Sequence, residues 1–169
     1  MDDSLTTQQI NCCLSSHFLT SSHYEGCFAL DELPLTYLTK RPSLVVVNTA
    51  YSGSPGEHWV CFFLTDNDVF FFDSYGIAPS HKTLLDFIAQ NGGSSLNYNT
   101  RCLQGLLATT CGKFCTTYLL CRALGHSHVQ YLALFPPGSC PDHIVRKLYD
   151  RYFQRDNLAG GQTRRPRKV

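Results

Sequence analysis

Four short signals occur in order along this chain: His58-Trp59, Asp73, Gln104-Gly105 and Cys111-Gly112. They supply an imidazole, a carboxylate, a side-chain amide and a thiol. A thiol becomes a strong nucleophile when a base takes its proton, and a carboxylate can hold that base in one tautomer. An amide N–H can then stabilise the oxyanion that forms on an attacked carbonyl. Gathered in one place, the four are the parts of a cysteine-nucleophile acyl-transfer site. Taken singly, each has a plainer reading. His58-Trp59 can be surface plus core, Asp73 can cap a turn, Gln104 can be a loop amide, and Cys111 can be one buried thiol among nine. Their conjunction and order carry the argument.

The elements that would position them follow from pattern. Residues 4–14 read as a first helix with Ser4 as N-cap, followed by a polar, irregular stretch to about Pro42. Leu44–Asn48 reads as a buried strand. His58–Leu64 and Val69–Tyr75 flank Thr65-Asp66-Asn67-Asp68, a tight-turn sequence, and predict a β-hairpin. Ser80 is expected to cap a helix that runs to Asn91 and stops at Gly92-Gly93. A strand near Leu96–Cys102 follows. Helices over Cys111–Leu124 and Asp142–Gln154 complete the set, the last opened by Ser139 and Pro141. The pattern implies an α+β fold, with a central mixed or antiparallel sheet and helices on both sides.

A two-residue loop at Asp66-Asn67 sets the hairpin register. His58 then faces Tyr75 and Val60 faces Asp73, which makes His58 and Asp73 diagonal neighbours about 7–8 Å apart on one sheet face. One hydrogen bond can span that gap. A slip of one residue would put the two side chains on opposite faces. Cys111 falls at the start of an apolar helix, where unpaired N–H groups and the helix dipole favour thiolate. Gly112 is expected to leave room for a substrate backbone, Gln104 to donate to the oxyanion beside the Cys111 N–H, and Trp59 to shield the imidazole from water.

Composition narrows the class. The chain has 169 residues, 43% of them hydrophobic, enough for one domain with its own core. Its longest apolar runs, Leu44–Val47 and Val69–Phe72, are of strand length and too short to span a bilayer, so no membrane association is expected. The start, Met1-Asp2-Asp3-Ser4, is polar and acidic, unlike a secretory signal. Nine cysteines, an odd number, then read as reduced thiols. Four of the 14 basic residues (Arg164, Arg165, Arg167 and Lys168) lie at the C-terminus; without them ten basic residues face 13 acidic ones, a net charge of −3. Residues 1–156 are therefore read as one domain and 157–169 as a Gly-Gly-containing basic tail, either solvated or in contact with a polyanion such as DNA. Cys111-x3-Cys115-x5-Cys121 with His126-x-His128 fits structural zinc spacing poorly, and no metal is expected.

At these residues the chain resembles the adenains, the adenovirus-type cysteine endopeptidases, whose clan includes the SUMO-removing proteases. The matching stretches are Val46–Ala50, Glu57-His58-Trp59, Phe72–Gly76, Gln104-Gly105 and Cys111–Cys115, with a fainter echo from His17 to Pro34. The resemblance implies Cys111 as nucleophile, His58 as general base and acid, Asp73 as its orienter and Gln104 as oxyanion donor. Asp73 stands where adenains commonly use Glu, and in that it matches the SUMO-protease branch. Cys115, a turn deeper, is a distant second candidate for the nucleophile. The resemblance also implies cleavage after large-aliphatic-x-Gly-Gly motifs, no cofactor for the chemistry, and activation by a basic peptide and DNA. It further implies viral capsid or core precursor polypeptides as substrates, a monomer, and a site of action in the host nucleus and virion. The chain itself contains Leu158-Ala159-Gly160-Gly161 before Gln162, a motif of that form that the resemblance offers as a self-cleavage site, the alternative being a Gly-hinged nuclear-localisation or nucleic-acid tail. Competing readings are a protease for ubiquitin-like modifiers and an inactive nucleic-acid-binding module.

Overall fold

The computed structural model describes residues 3–34, 37–92 and 95–154. In chain order the elements are α1 (Thr7–Ser16), β1 (Tyr24–Ala29), a 3-10 turn (Leu30–Glu32), β2 (Ser43–Asn48), β3 (Trp59–Leu64) and β4 (Asp68–Phe72). There follow α2 (Lys82–Asn91), β5 (Ser95–Tyr98), α3 (Cys111–Ala123), α4 (His128–Leu132) and α5 (Pro141–Tyr149), which runs on into a π-helical turn, Asp150–Gln154. The strands form one five-stranded sheet in sequence order. The outer pairs β1–β2 and β4–β5 are parallel; the inner pairs β2–β3 and β3–β4 are antiparallel. The fold is α+β, with a mixed sheet.

Alternation along the strands sends side chains to two cores. Leu44, Val46, Cys61, Phe63 and Phe72 face α1, α3, α4 and α5. Val45, Val47, Phe62, Leu64 and Phe71 face Leu84 and Phe87 of α2. Because β2 and β3 are buried on both faces, they read as unbroken apolar runs rather than alternating ones. Helix α3 is buried along Cys111–Cys121 and forms the spine of the larger core.

Several boundaries differ from expectation, each for a local reason. Helix α1 starts after Thr6, whose side chain accepts from the Gln9 N–H while Gln9 returns a bond to the Thr6 N–H. That reciprocal cap satisfies two orphan donors and displaces Ser4 as the start. At α2 the imidazole of His81, rather than Ser80, accepts from Thr83 N–H. Cys140, not Ser139, precedes Pro141 at the start of α5. Strand β5 ends at Tyr98, short of Cys102, because Asn99 turns inward to bond the Asp73 backbone. The stretch before Pro42 contains β1, half-buried throughout and broken by a register shift at Gly26, so it carries no alternating signal. No described helix is long and apolar enough to cross a membrane.

Candidate active site

The β3–β4 ladder pairs Cys61 with Phe72, Phe62 with Phe71 and Leu64 with Val69, with Thr65 N–H closing the turn on the Asp68 carbonyl. This is the register expected from a loop at Asp66-Asn67. Just past the end of the ladder, His58 Nε2 lies 2.7 Å from Asp73 Oδ1. The same oxygen accepts the Tyr75 N–H at 2.8 Å, and the Tyr75 ring lies against the imidazole at a centroid distance of 4.8 Å. Asn99 holds the Asp73 backbone from both sides, accepting its N–H at 3.1 Å and donating to its carbonyl at 2.6 Å. The turn closes with Gly76 at φ +73°, where a Cβ would sit 2.6 Å from the Arg101 carbonyl carbon. Only glycine fits there.

Cys111 opens α3 and lines the same cleft as His58. The first intrahelical bond is Phe114 N–H to Thr110 carbonyl, so the N–H groups of Cys111 and its neighbours have no partner within the helix. Burial pulls the His58 imidazole down. The hydrogen bond and charge of Asp73, together with the nearness of Cys111, outweigh that and raise it to about 9. Protonated His58 is thus favoured beside the Asp73 carboxylate. Cys115 is fully enclosed and donates to the Trp59 carbonyl at 3.3 Å; burial pushes its thiol far above the ordinary range. A thiol so held is inert.

Gly112 and Trp59 both meet the N-terminal segment. A Cβ on Gly112 would come within 2.9 Å of Leu5 Cβ and 3.2 Å of Trp59 Cδ1. The missing side chain therefore makes room for the N-terminal segment, not for substrate. Trp59 lines the cleft beside His58, and its Nε1 donates to the Leu5 carbonyl at 2.9 Å.

The opposite wall is assembled from distant parts of the chain. Leu103 and Gln104 N–H groups both donate to the Ser74 carbonyl, and Ser74 Oγ donates to Gln104 Oε1 at 2.7 Å. Gln104 Nε2 donates to the Ala108 carbonyl at 2.5 Å and to the Tyr75 hydroxyl at 3.2 Å. The carboxylate of Asp142 accepts from Gly105 N–H at 2.9 Å and from Thr110 Oγ1. Asp3 bonds Lys113 Nζ at 2.7 Å and Arg146 Nε at 2.6 Å, and its N–H donates to Thr109 Oγ1. Between wall and hairpin end lies a cleft of about 700 Å³, with His58, Trp59, Tyr75, Gln104 and Cys111 among its lining.

The structure therefore brings His58, Asp73, Gln104 and Cys111 together. Sequence reasoning passed over Tyr75, Asn99, Asp142 and Asp3. Tyr75 lies within a stretch that had been singled out; nothing in the sequence marks the other three. Gly160, Gly161 and Gln162 lie outside the described residues, as do Arg164, Arg165, Arg167 and Lys168. No group of three or more His, Cys, Asp or Glu among the described residues is placed to hold a metal ion.

No protein-family model matches the chain, and no curated protein matches it in sequence. Its fold is similar to that of a selenomethionine crystal structure of an ASFV protease, with a TM-score of 0.58 and 16% identity over 89% of this chain and 67% of that one. A second similar structure is the SUMO protease Ulp1 with its catalytic cysteine oxidised to a sulfinic acid, at a TM-score of 0.47 and 13% identity over 89% of this chain and 79% of that one. The likeness to the ASFV protease is one of fold.

Proposed function

We propose that this chain is a cysteine endopeptidase that cleaves viral or mobile-element precursor polypeptides after Gly-Gly-type motifs. One observation carries the reading: His58 bonds the Asp73 carboxylate at 2.7 Å and lines an open cleft together with Cys111 and Gln104. A viral role draws support from the fold shared with an ASFV protease, and the Gly-Gly preference from the adenain-like motifs.

In the proposed reaction the Cys111 thiolate attacks the scissile carbonyl while His58 holds the proton. Asp73 keeps Nε2–H pointed at itself, which leaves the other ring nitrogen to serve the thiol. The oxyanion forms beside the N–H of Cys111 and the Gln104 loop. Collapse expels the amine, which takes the proton from His58, and leaves a thioester. Water then attacks this thioester, with His58 as base. The motif ending at Gly161 and the basic residues after it extend the proposal to self-cleavage, which would free a cationic peptide able to contact DNA or the enzyme itself.

The test is hydrolysis of a fluorogenic Leu-Ala-Gly-Gly peptide under reducing conditions by the protein and by Cys111→Ala, alone and with added tail peptide and DNA. Turnover that disappears in the variant supports the reading. No turnover under any of these conditions sinks it. Intact ubiquitin-like fusions cleaved in preference to the peptide would redirect it to modifier processing.

A further inference from the structure

The loop between Gln104 and Cys111 displays two side chains that the fold does not use. Leu106 and Leu107 are 90% and 98% exposed, more than any other large hydrophobic residue among those described. They occupy the two corners of a β-turn, which Ala108 N–H closes on the Gly105 carbonyl at 3.0 Å. Neither has a positive φ, so the turn tolerates leucine. It does not call for it, since glycine, proline and small polar residues are the usual occupants of such corners. A lone exposed leucine is ordinary, but two side by side on a turn tip form a small apolar platform. The pair serves neither the core nor the bend.

The platform is held in place. Gly105 N–H donates to Asp142 at 2.9 Å, and Gln104 N–H donates to the Ser74 carbonyl at 3.0 Å. Thr110, at the far end of the loop, bonds the same Asp142 carboxylate. A surface fixed in this way loses little freedom when a ligand covers it. Its position is also defined. The residues on either side of the turn, Gln104 and Ala108, line the cleft with Cys111, so the leucines stand on its rim. They precede Cys111 by five and four residues. The other walls of the cleft include Leu5, Ala29, Ala50 and Trp59, from the N-terminal segment, β1 and the β2–β3 connection.

We propose that the Leu106–Leu107 turn is a specificity subsite for apolar side chains on the leaving side of the scissile bond. The inference rests on the cysteine-peptidase reading above. The two halves of an extended substrate lie on opposite sides of the nucleophile. The acyl half fills the walled cleft, and the leaving half crosses the rim where the leucines stand. Two isobutyl groups offer no donor, acceptor or charge, so what they select is apolar surface. The bond after Gly161 is followed by Gln162, Thr163, Arg164 and Arg165, all polar, and on this account it is a slow substrate.

The test uses two quenched fluorescent octapeptides that share Leu-Ala-Gly-Gly. One continues as Leu-Val-Leu-Ser and the other as Ser-Asn-Ser-Gln. The parent protein should favour the apolar octapeptide by about tenfold in kcat/KM, the scale of one leucine side chain buried against another surface. In the double variant Leu106→Ser with Leu107→Ser the preference should fall to about onefold, by loss on the apolar peptide alone. The thermal midpoint should not move, because the side chains replaced are exposed. The proposal is overturned if the parent cuts both octapeptides at rates within about twofold, or if the variant keeps the parent's preference. An equal loss on both peptides also overturns it, since the turn would then support the chemistry rather than selection. So does a parent dimer, seen by light scattering, that the double variant converts to monomer, because the leucines would then belong to a contact between copies. Failure of the underlying reading looks different: the parent cuts neither octapeptide, or Cys111→Ala cuts both as fast as the parent does.

Discussion

His58 and Asp73 reach the cleft on a ladder of backbone hydrogen bonds, whereas the wall facing them is tied down by single side chains reaching across the fold. The hairpin end inherits its geometry from register: once Leu64 pairs with Val69, the strand period settles which side chains share a face. The wall has no such rule. Its loop, residues 104–110, hangs on Ser74 at one end and on Asp142 at both Gly105 and Thr110. The segment at Asp3–Thr6 is held by an ion cluster with Lys113 and Arg146 and by one carbonyl bonded to Trp59. The hairpin should therefore govern protonation and chemical rate, and the wall should govern cleft shape and substrate affinity.

The largest effect should come from removing charge at the hairpin end. Asp73→Asn keeps the shape but loses the partner that holds His58 charged. The expected loss is roughly 1,000-fold in kcat. In the parent protein the His58 imidazolium persists until pH rises through about 9, so the basic limb of the pH–rate profile belongs there. In the variant that limb should move down toward the ordinary histidine value of about 6.5. Stability follows with the same sign. The folded-state value lies above the unfolded one, so the stabilisation is complete below about pH 6.5 and drains away as pH climbs through about 9. Thermal melts at both ends of that window check it. A basic limb that stays put in Asp73→Asn would break the assignment of protonation to the hairpin.

The second prediction concerns the point where the two regions meet. Gly76→Ala forces a side chain into a left-handed conformation and drives its Cβ against the Arg101 backbone. The cost should be about 3 kcal/mol, read as a lowered denaturation midpoint. The turn also carries Ser74 and Tyr75, so kcat should fall along with stability. Full activity in a destabilised variant would mean that the turn supports the fold but not the site.

How much was legible follows the same division. The hairpin and its register could be read because Asp66-Asn67 is a turn sequence between two apolar runs, and nothing distant alters strand period. The start of α3 could be read because Cys111 opens a long apolar stretch of helical length. The wall could not. Asp142 is an unremarkable acid at the start of α5, and only the tertiary fold brings it to Gly105 and Thr110. Gly112 was noticed but given the wrong neighbour, since Leu5 lies more than a hundred residues away in sequence. Strand β1 was missed because half-buried residues and a bulge at Gly26 erase alternation. For Tyr75, position was evident and partners were not: its contacts with the Gln104 amide and the His58 ring appear only in the folded structure.

The smallest effect should come from the wall, and its character sets it apart from the hairpin. Asp142→Ala removes the acceptors of Gly105 N–H and Thr110 Oγ1 together, at a half-buried position where water can partly replace them. The stability cost should be about 1 kcal/mol rather than that of a buried, unsatisfied pair. The loop that loses its anchor carries Ala108, whose carbonyl accepts from the Gln104 amide, and it precedes Cys111 directly. KM should therefore rise several-fold as the cleft loosens, with kcat falling less than KM rises. The His58–Asp73 bond lies just past the end of the ladder and has no partner in Asp142, so the basic limb should remain near 9. A limb displaced by Asp142→Ala as far as by Asp73→Asn would show that wall and hairpin titrate as one unit, and the division between them would fail.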